Sequence, residues 1–205
     1  MRRWARLTFL AVPLLLGGCG YQWADHPPQR SPVPSASPSA TASATPSAGP
    51  GLFTTRCSAG QLAVRWGGRV SEATGQNTVS LTISNISTDG CYLFGYPQVA
   101  LADNAGRVLP LQYQNSGDQM VTSAPPAHVD LGPNGLAYVT VNKYRCDTTD
   151  LMHASVLRLT PPGLTSSFTV SLAGNVPMDY CGPSDPGSTV HVSPVGPTFS
   201  ATVPY

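Results

Sequence analysis

The sequence of 205 residues contains few charged side chains. Asp, Glu, Lys and Arg together make up 10 % of it, whereas about a quarter is usual in a globular protein. Only one lysine and one glutamate are present. A coiled coil or a long-helix bundle would need many more charged residues, and a basic nucleic-acid binder would need an excess of positive charge. The composition therefore excludes these three classes of protein.

The sequence also lacks an apolar run of the about 20 residues that a membrane-spanning helix needs. Its main apolar run, residues 7–16, follows a short segment that carries three arginines and no acidic residue. Gly17, Gly18 and Cys19 come next. A positive segment, a short apolar segment and small residues at a cleavage site are typical of a secretory signal peptide. We therefore predict a signal peptide at residues 1–18.

The Leu-Gly-Gly-Cys sequence at residues 16–19 resembles the lipobox of bacterial lipoproteins. The resemblance implies cleavage between Gly18 and Cys19, a diacylglyceryl group on the Cys19 thiol, and fatty acyl chains such as palmitate. Each buried methylene contributes about 0.8 kcal/mol, so two or more chains give a stable anchor. Cleavage would also change the net charge from +1 to −2, because three arginines are removed. We expect a chain that is lipid-anchored at the outer, extracytoplasmic face of the cell membrane and has no nucleic-acid partner.

Proline and glycine are abundant, at 21 and 20 residues, and many of the prolines lie in one segment. In residues 27–50, 20 residues are Pro, Ser, Ala or Thr. Such a segment offers too little apolar surface to fold and favours an extended chain, which would span on the order of 75 Å. We predict a disordered linker over residues 19–50, either unmodified or glycosylated on its hydroxyl groups.

Residues 51–205 are long enough for one domain and place apolar residues at every second position. In residues 78–84, for example, Val79, Leu81 and Ile83 alternate with Ser and Thr. The same alternation is found at residues 62–66, 137–142 and 168–172. Alternation with β-branched residues indicates strands that are buried on one face.

Turn sequences separate these alternating runs, at residues 89–90, 103–106 and 132–135. Residues 136–160 are long enough for a helix and free of Gly and Pro, but they contain two alternating runs instead. We therefore predict an all-β domain, an immunoglobulin-like antiparallel β-sandwich.

Asn85-Ile86-Ser87 has the spelling of an N-glycosylation site, and we interpret Asn85 instead as the residue that closes its strand.

Four cysteines remain if Cys19 carries lipid, and an even number in an exported domain indicates two disulfides. We predict the pairs Cys57–Cys91 and Cys146–Cys181, which close loops of similar length. Each would stabilise the fold by roughly 3–4 kcal/mol. A zinc site built from the same cysteines is disfavoured, because no two of them lie within two to four residues of each other.

The Cys-Tyr-Leu-Phe-Gly-Tyr-Pro sequence at residues 91–97 resembles a motif, Cys-x-Leu-x-Gly-Tyr-Pro, of an actinobacterial domain of unknown function. Residues 103–106 and 131–137 are similar to the segments that follow it in that family, except that Asn134 stands where the family's glycine usually begins. The resemblance covers nearly all of residues 57–195. It implies an extracytoplasmic β-sandwich found in secreted proteins and lipoproteins, and it implies no activity or functional residue.

The sequence contains no recognisable catalytic motif. There is no Gly-x-Ser-x-Gly elbow, and Lys143 is preceded at the relevant spacing by Thr140 rather than by serine. Most aspartates lie in turn-like sequences, where they bond to the local backbone. Imidazole and thioether ligands for copper would have to come from residues whose spacing follows no copper-carrier pattern, namely His128, His153, His191, Met120, Met152 and Met178. We predict that the chain is not an enzyme and needs no metal or cofactor.

We interpret Gly95-Tyr96-Pro97 as a turn in which the tyrosine covers the edge of the core. Contact with a ligand through Tyr96, alone or together with Tyr92, is the alternative. We predict a binding or interaction module whose partner is a cell-wall glycan or another envelope protein. The alternatives are an enzyme acting on cell-wall polymer and a purely structural envelope protein.

A concave patch lined by Tyr92, Tyr96, Tyr138 or Tyr144 would favour the binding of a ligand. A closed surface would favour a partner protein.

Overall fold

The structure is a computed structural model that describes residues 52–70, 75–172 and 176–204. The predicted signal peptide (1–18), the lipid-bearing Cys19 and the predicted linker (19–50) lie outside the described residues. Within the described residues, no helix has the length and apolar character that crossing a membrane requires.

The described part of the chain is built from ten β-strands, with only three short 3₁₀ turns. The turns are Ala59–Gln61, Pro186–Ser188 and Phe199–Thr202. The strands are β1 (Leu62–Arg69), β2 (Gln76–Asn85), β3 (Cys91–Leu93), β4 (Gln98–Ala102), β5 (Gln112–Gln114), β6 (Val129–Leu131), β7 (Leu136–Tyr144), β8 (Val156–Thr160), β9 (Phe168–Ser171) and β10 (Thr189–Val192).

These strands form three sheets around one hydrophobic core. The largest sheet has the strand order β1-β2-β7-β10-β5, and the smaller ones have the orders β4-β8-β9 and β3-β6. Each sheet contributes fully buried leucines to the core, such as Leu81, Leu131 and Leu159. The predicted all-β sandwich is therefore confirmed.

One strand pair departs from the purely antiparallel arrangement that we predicted. At the edge of the five-stranded sheet, β5 runs parallel to β10, with Val190 opposite Tyr113. A parallel pair needs a long connection, and the chain between these two strands provides one because it contains β6, β7, β8 and β9.

The central pair of strands, β2 and β7, shows why alternation in the sequence gives a sandwich. Val79 lies opposite Val141 and Leu81 opposite Val139, and all four side chains are fully buried in the core. The intervening residues face the other side of the sheet and are mostly polar. They pair as Thr78 with Asn142, Ser80 with Thr140 and Thr82 with Tyr138. The five-stranded sheet thus has an apolar inner face and an outer face rich in hydroxyl groups.

The turn between β6 and β7 explains the departure from the family's glycine at Asn134. The Gly135 N–H donates to the Gly132 carbonyl oxygen at 2.8 Å, which closes a four-residue turn. Asn134 has a φ angle of 60°. Asparagine adopts this left-handed conformation more readily than other residues with a side chain, so it can stand where glycine is usual.

Both predicted disulfides are present. Cys57–Cys91 joins the segment before β1 to the start of β3, with a Cα–Cα distance of 4.8 Å. Cys146–Cys181 joins the segment after β7 to the segment before β10, with a Cα–Cα distance of 5.4 Å.

Candidate functional site

A β-bulge in β1 opens a groove on the outer face of the five-stranded sheet. Trp66 pairs with Leu81 but Gly68 pairs with Ser80, so Gly67 is the extra residue. Gly68 has a φ angle of 123°, which residues with a side chain rarely adopt. A bulge bends its strand and increases the local twist, and bulges are frequent beside functional sites.

Gly67 keeps the floor of this groove open. A Cβ atom at Gly67 would lie 3.1 Å from both Ser80 Oγ and Thr82 Oγ1, and 3.0 Å from the Ser80 carbonyl oxygen. The two hydroxyl groups therefore face the space that a side chain at this position would fill. Each hydroxyl can both donate and accept a hydrogen bond, so the floor presents two adaptable polar groups.

Two aromatic side chains, Tyr138 and Phe199, also line this space. Phe199 is 36 % exposed, so part of its ring is available for contact with a ligand. The space has a volume of about 440 Å³. We call it the hydroxyl groove, and it is lined by Gly67, Gly68, Arg69, Val70, Ser80, Thr82, Tyr138 and Phe199.

The aromatic side of the groove is held in place by hydrogen bonds to β7. Thr202 Oγ1 donates to the Phe199 carbonyl oxygen at 2.7 Å and shares a second hydrogen bond of 2.7 Å with Thr140 Oγ1. The backbones of Tyr138 and Gly196 exchange two hydrogen bonds, of 2.9 and 3.0 Å. These bonds hold the backbone on the aromatic side of the groove, which lowers the entropy cost of ordering it when a ligand binds.

The surface contributed by the described lining residues of the groove is mostly apolar. Among its described lining residues, Arg69 is the one charged side chain, and carboxylate and imidazole groups are absent. The groove offers hydroxyl groups on its floor and flat apolar surface on its aromatic side. This combination suits a neutral ligand with polar edges and apolar faces.

A second cavity, of about 370 Å³, lies beside the turn at residues 103–106. Its titratable side chains already have partners within the protein, because Arg107 Nε donates to Asp103 Oδ2 at 2.8 Å and His153 Nδ1 lies 3.1 Å from Asp179 Oδ2. The Arg107 backbone N–H and guanidinium lower the pKa of Asp103 against the opposing effect of desolvation. This cavity is therefore the weaker candidate for binding a ligand. It is lined by Asp103, Asn104, Arg107, Leu151, Met152, His153 and Ser155.

Tyr92 and Tyr96, the tyrosines that the sequence suggested for ligand contact, lie outside the hydroxyl groove. The Tyr92 ring stacks on His128, with a centroid separation of 4.3 Å, and the Arg56 guanidinium lies 5.2 Å from the same ring. Tyr92 thus packs within the protein. Tyr96 is half-buried in the connection between β3 and β4, directly after Gly95, whose φ angle is 120°. The chain bends at Gly95, within the predicted turn.

The four tyrosines suggested for a concave patch do not come together in the groove. Tyr138 alone among them lines it. The Tyr144 ring lies instead against Gly75, where an added Cβ atom would stand 2.7 Å from the ring.

The histidines suggested as copper ligands have separate partners. His128 Nε2 lies 3.1 Å from Asp130 Oδ1, and His191 Nδ1 lies 3.0 Å from the Ser116 carbonyl oxygen. His153 is paired with Asp179, as described above. Within residues 52–70, 75–172 and 176–204, no group of three or more His, Cys, Asp or Glu side chains is arranged to hold a metal ion.

Two features of the described domain were missed by the sequence analysis. The first is the bulge, although a Gly-Gly pair inside an alternating run is itself a signal for one. The second is Lys143, which is fully buried. Lys143 continues the period-two series of Ala137, Val139 and Val141. The alternation therefore predicts that its side chain lies on the core face. Burial lowers the pKa of Lys143 to about 8, against the opposing attraction of nearby carboxylates.

Comparison with known proteins identifies the family of this chain. Residues 57–196 match the family model described as Domain of unknown function (DUF4232). This range contains both disulfides and every residue of the hydroxyl groove except Phe199. Neither the curated proteins nor the solved structures include a match to the chain.

Proposed function

The chain belongs to the DUF4232 family, a domain of unknown function, so its function has to be inferred from its own groove. We propose that the domain is a non-enzymatic module that binds a cell-wall glycan. The proposal rests on the open floor at Gly67. There the hydroxyl groups of Ser80 and Thr82 border the space that a side chain at position 67 would fill. Tyr138 and Phe199 line the same space.

The groove matches the two chemical sides of a sugar ring. The ring edge carries hydroxyl and amide groups, which pair with Ser80 Oγ and Thr82 Oγ1. The ring face is apolar and packs against an aromatic side chain, as Phe199 and Tyr138 allow. A neutral glycan also avoids the cost of desolvating a charge at a site where Arg69 is the one charged side chain among the described lining residues.

A role without catalysis is supported by the kinds of side chain that line the groove. Glycan hydrolysis uses a pair of carboxyl groups, one as acid and one as base or nucleophile. The described lining residues supply hydroxyl, aromatic and guanidinium groups instead. These groups hold and orient a sugar, but they are poor proton donors and acceptors near neutral pH.

The proposed setting is the cell envelope. We propose that lipid on Cys19 anchors the chain at the outer face of the membrane and that residues 19–50 form a spacer toward the wall polymer. An Asp130 carboxylate in β6 accepts hydrogen bonds from the backbone N–H groups of Leu52 and Phe53, at 2.8 and 2.9 Å. These hydrogen bonds attach the first described residues of the domain to β6. A force applied through the proposed spacer would therefore act on a segment that is bonded to a sheet.

The test uses the exported chain from residue 19 onward, with Cys19→Ala to prevent lipidation. Soluble glycan fragments from purified, protein-free cell wall are titrated into the isotopically labelled chain, and backbone resonances are followed. We expect saturable shifts at Gly67, Ser80 and Thr82, together with Tyr138. The fragments should keep their masses throughout, because the module binds them without turnover.

Two matched variants sharpen this test. Gly67→Ala places a methyl group against both floor hydroxyls and should weaken glycan binding at least tenfold. Gly60→Ala adds the same methyl group in open space and should bind like the unmodified chain. Equal binding by both variants, or shifts confined to other surfaces, would overturn the proposed groove. Cleavage of the fragments would favour the enzyme alternative, and binding of no fragment would favour a protein partner or a structural role.

A further inference from the structure

The only lysine of the sequence lies in the core beside a disulfide. Lys143 Nζ donates to the Tyr144 carbonyl oxygen at 2.8 Å. The same nitrogen lies 3.7 Å from Cys146 Sγ and 3.8 Å from Cys181 Sγ. Both sulfurs of the Cys146–Cys181 disulfide thus contact one amine that is fully buried.

This environment leaves the ammonium group poorly compensated while the disulfide is intact. An ammonium has three N–H donors, and here they meet one carbonyl oxygen and two neutral sulfurs, which accept hydrogen bonds weakly. The carboxylates of Asp179 and Asp185 attract the ammonium electrostatically. A thiolate at either sulfur position would add a negative charge in direct contact with it.

We propose that Cys146–Cys181 is a redox-active disulfide, which a dithiol reduces in preference to Cys57–Cys91 because the Lys143 ammonium stabilises the thiolate that forms. The basis is the position of Nζ between the two sulfurs and the difference in exposure between the two disulfides. The inference concerns a different part of the domain from the hydroxyl groove and is independent of glycan binding.

The site also provides a partner for the second sulfur of a reduced pair. The Asp179 carbonyl oxygen lies 3.6 Å from Cys146 Sγ and 3.7 Å from Cys181 Sγ. In the reduced state one cysteine is held as a thiolate by Lys143, while the other donates its S–H to this carbonyl. Both sulfurs therefore have a partner of the right kind after the S–S bond breaks.

Access differs between the two disulfides and between the two sulfurs of this one. Cys57 and Cys91 are 2 % and 0 % exposed, so a reductant cannot reach their bond without opening the core. Cys181 is also buried, but Cys146 is partly exposed. An incoming thiolate therefore reaches Cys146 Sγ first.

The exchange reaction balances as follows. One thiolate of the dithiol attacks Cys146 Sγ and forms a mixed disulfide, the protein S–S bond breaks, and its electron pair passes to Cys181 Sγ. That sulfur leaves as a thiolate beside Lys143. The second thiolate of the dithiol then attacks the reagent's own sulfur in the mixed disulfide, which oxidises the dithiol to its disulfide and expels Cys146 as a thiolate. Of the two protons that the dithiol gives up, Cys146 takes one and becomes a thiol, and the other passes to solvent. A more stable leaving thiolate makes the first step faster.

The experiment measures the reduction of each disulfide separately in the oxidised, exported chain with Cys19→Ala. The protein is equilibrated at pH 7 in mixtures of reduced and oxidised dithiothreitol, free thiols are alkylated, and each cysteine is quantified by peptide mass spectrometry. We expect Cys146–Cys181 to open at a ratio of reduced to oxidised reagent at least tenfold lower than Cys57–Cys91. Lys143→Met should raise the ratio needed for Cys146–Cys181 about tenfold and leave Cys57–Cys91 unchanged.

Two further measurements keep the test decisive. Arg65→Met removes an exposed positive charge on β1 and should leave both midpoints unchanged. In the unmodified chain, brief treatment with 2-mercaptoethanol followed by acid trapping should give the mixed disulfide on Cys146, whether or not the Lys143 variant folds. Joint opening of both disulfides, an unshifted midpoint in a folded Lys143→Met variant, or an adduct mainly on Cys181 would overturn the proposal.

Discussion

The side-chain amide of Asn85, at the end of β2, donates a hydrogen bond of 2.9 Å to the carbonyl oxygen of Leu131 at the end of β6. This bond connects two different sheets of the sandwich. The second amide hydrogen bonds the Asp89 carbonyl oxygen at 2.7 Å, and Oδ1 accepts from the Ser87 N–H at 2.9 Å. Asn85 is fully buried, so its amide nitrogen is out of reach of a glycosylating enzyme in the folded domain. The interpretation of Asn85 as the residue that closes its strand is confirmed.

Replacement of Asn85 by alanine should therefore cost more stability than an ordinary polar substitution. Asn85→Ala leaves the buried Leu131 carbonyl oxygen without this donor, and an orphaned buried group costs about 1–3 kcal/mol. The Asp89 carbonyl oxygen loses one donor but keeps Ser87 Oγ at 3.0 Å. We expect the free energy of unfolding to fall by about 1–3 kcal/mol, measured by urea denaturation with the disulfides intact. Asn104→Ala, in an exposed turn, should change it by no more than about 0.5 kcal/mol. Equal losses in the two variants would contradict this account of Asn85.

Removal of the exposed ring of the hydroxyl groove should weaken glycan binding without unfolding the domain. Phe199→Ala removes a side chain that is already 36 % exposed, so little core packing is lost. An aromatic contact is worth about 0.5–1.5 kcal/mol, so we expect the dissociation constant for wall glycan fragments to rise up to about tenfold. Phe94→Ala removes a ring outside the groove that is 46 % exposed, and it serves as the control. A loss of affinity in the control alone would place the site elsewhere.

Lys143 should make the stability of the domain depend on pH in the alkaline range. Its pKa is lowered to about 8 in the folded state, mainly by burial, whereas the unfolded chain keeps the ordinary value near 10.4. Between these values the unfolded state binds more protons, so the free energy of unfolding rises with pH, by at most about 1.4 kcal/mol per pH unit. The buried charge thus destabilises the fold at neutral pH, and its loss above about pH 8 relieves the cost.

The measurement is the difference in free energy of unfolding between the unmodified chain and Lys143→Met at pH 7 and pH 9.5. Because the other titrating groups are common to both proteins, the difference isolates Lys143. The unmodified chain should gain on the variant as the pH rises. A difference that stays constant, or moves the other way, would mean that Lys143 keeps its ordinary pKa.

The attachment of the first described residues should depend on pH in the acid range. Desolvation opposes ionisation of Asp130, but hydrogen bonds from the N–H groups of Phe53 and Leu52, and from His128, outweigh it and lower the pKa below 3.8. The stabilisation is therefore complete well above pH 4 and is lost as the pH falls through the lowered pKa. We expect the protection of the Phe53 amide against hydrogen exchange to decrease below about pH 4.

Asp130→Asn should remove the same protection at neutral pH, because a neutral amide offers one acceptor oxygen where the carboxylate offers two. Asp89→Asn is a matched substitution at an exposed position and should leave Phe53 protected. Phe53 protection that persists in Asp130→Asn would show that packing of the Phe53 ring on Gly90, rather than the carboxylate, holds this segment.

The sequence predicted those parts of the domain that depend on local pattern. The alternation of Val79, Leu81 and Ile83 fixes which face of β2 is buried, since a shift of one residue would expose all three. The two disulfide pairs followed from an even count of cysteines and from similar loop lengths. The parallel pairing of β5 with β10 could not be predicted in this way, because it joins segments that are distant in the sequence.

The candidate site was less predictable than the fold. Of the tyrosines suggested for ligand contact, Tyr92 packs against His128, whereas Tyr138 lines the groove. Period-two patterns indicate on which face a side chain lies, but they do not indicate which other segment covers that face. Phe199 lies near the end of the described chain, in a turn that is hydrogen-bonded to β7 through Thr202 and Thr140. No pattern in the neighbouring sequence indicates that this turn packs beside β7.

Composition and local pattern alone determined that the domain is all-β, cross-linked by two disulfides and buried on one face of each main strand, because hydrophobic burial and turn chemistry act between residues close in sequence. Tertiary structure alone decided that Gly67 opens a hydroxyl floor beside Phe199 and that Lys143 stands between Cys146 and Cys181. These relations depend on packing between segments that fold together from distant parts of the chain. The distances that result are set by the whole core rather than by any one segment.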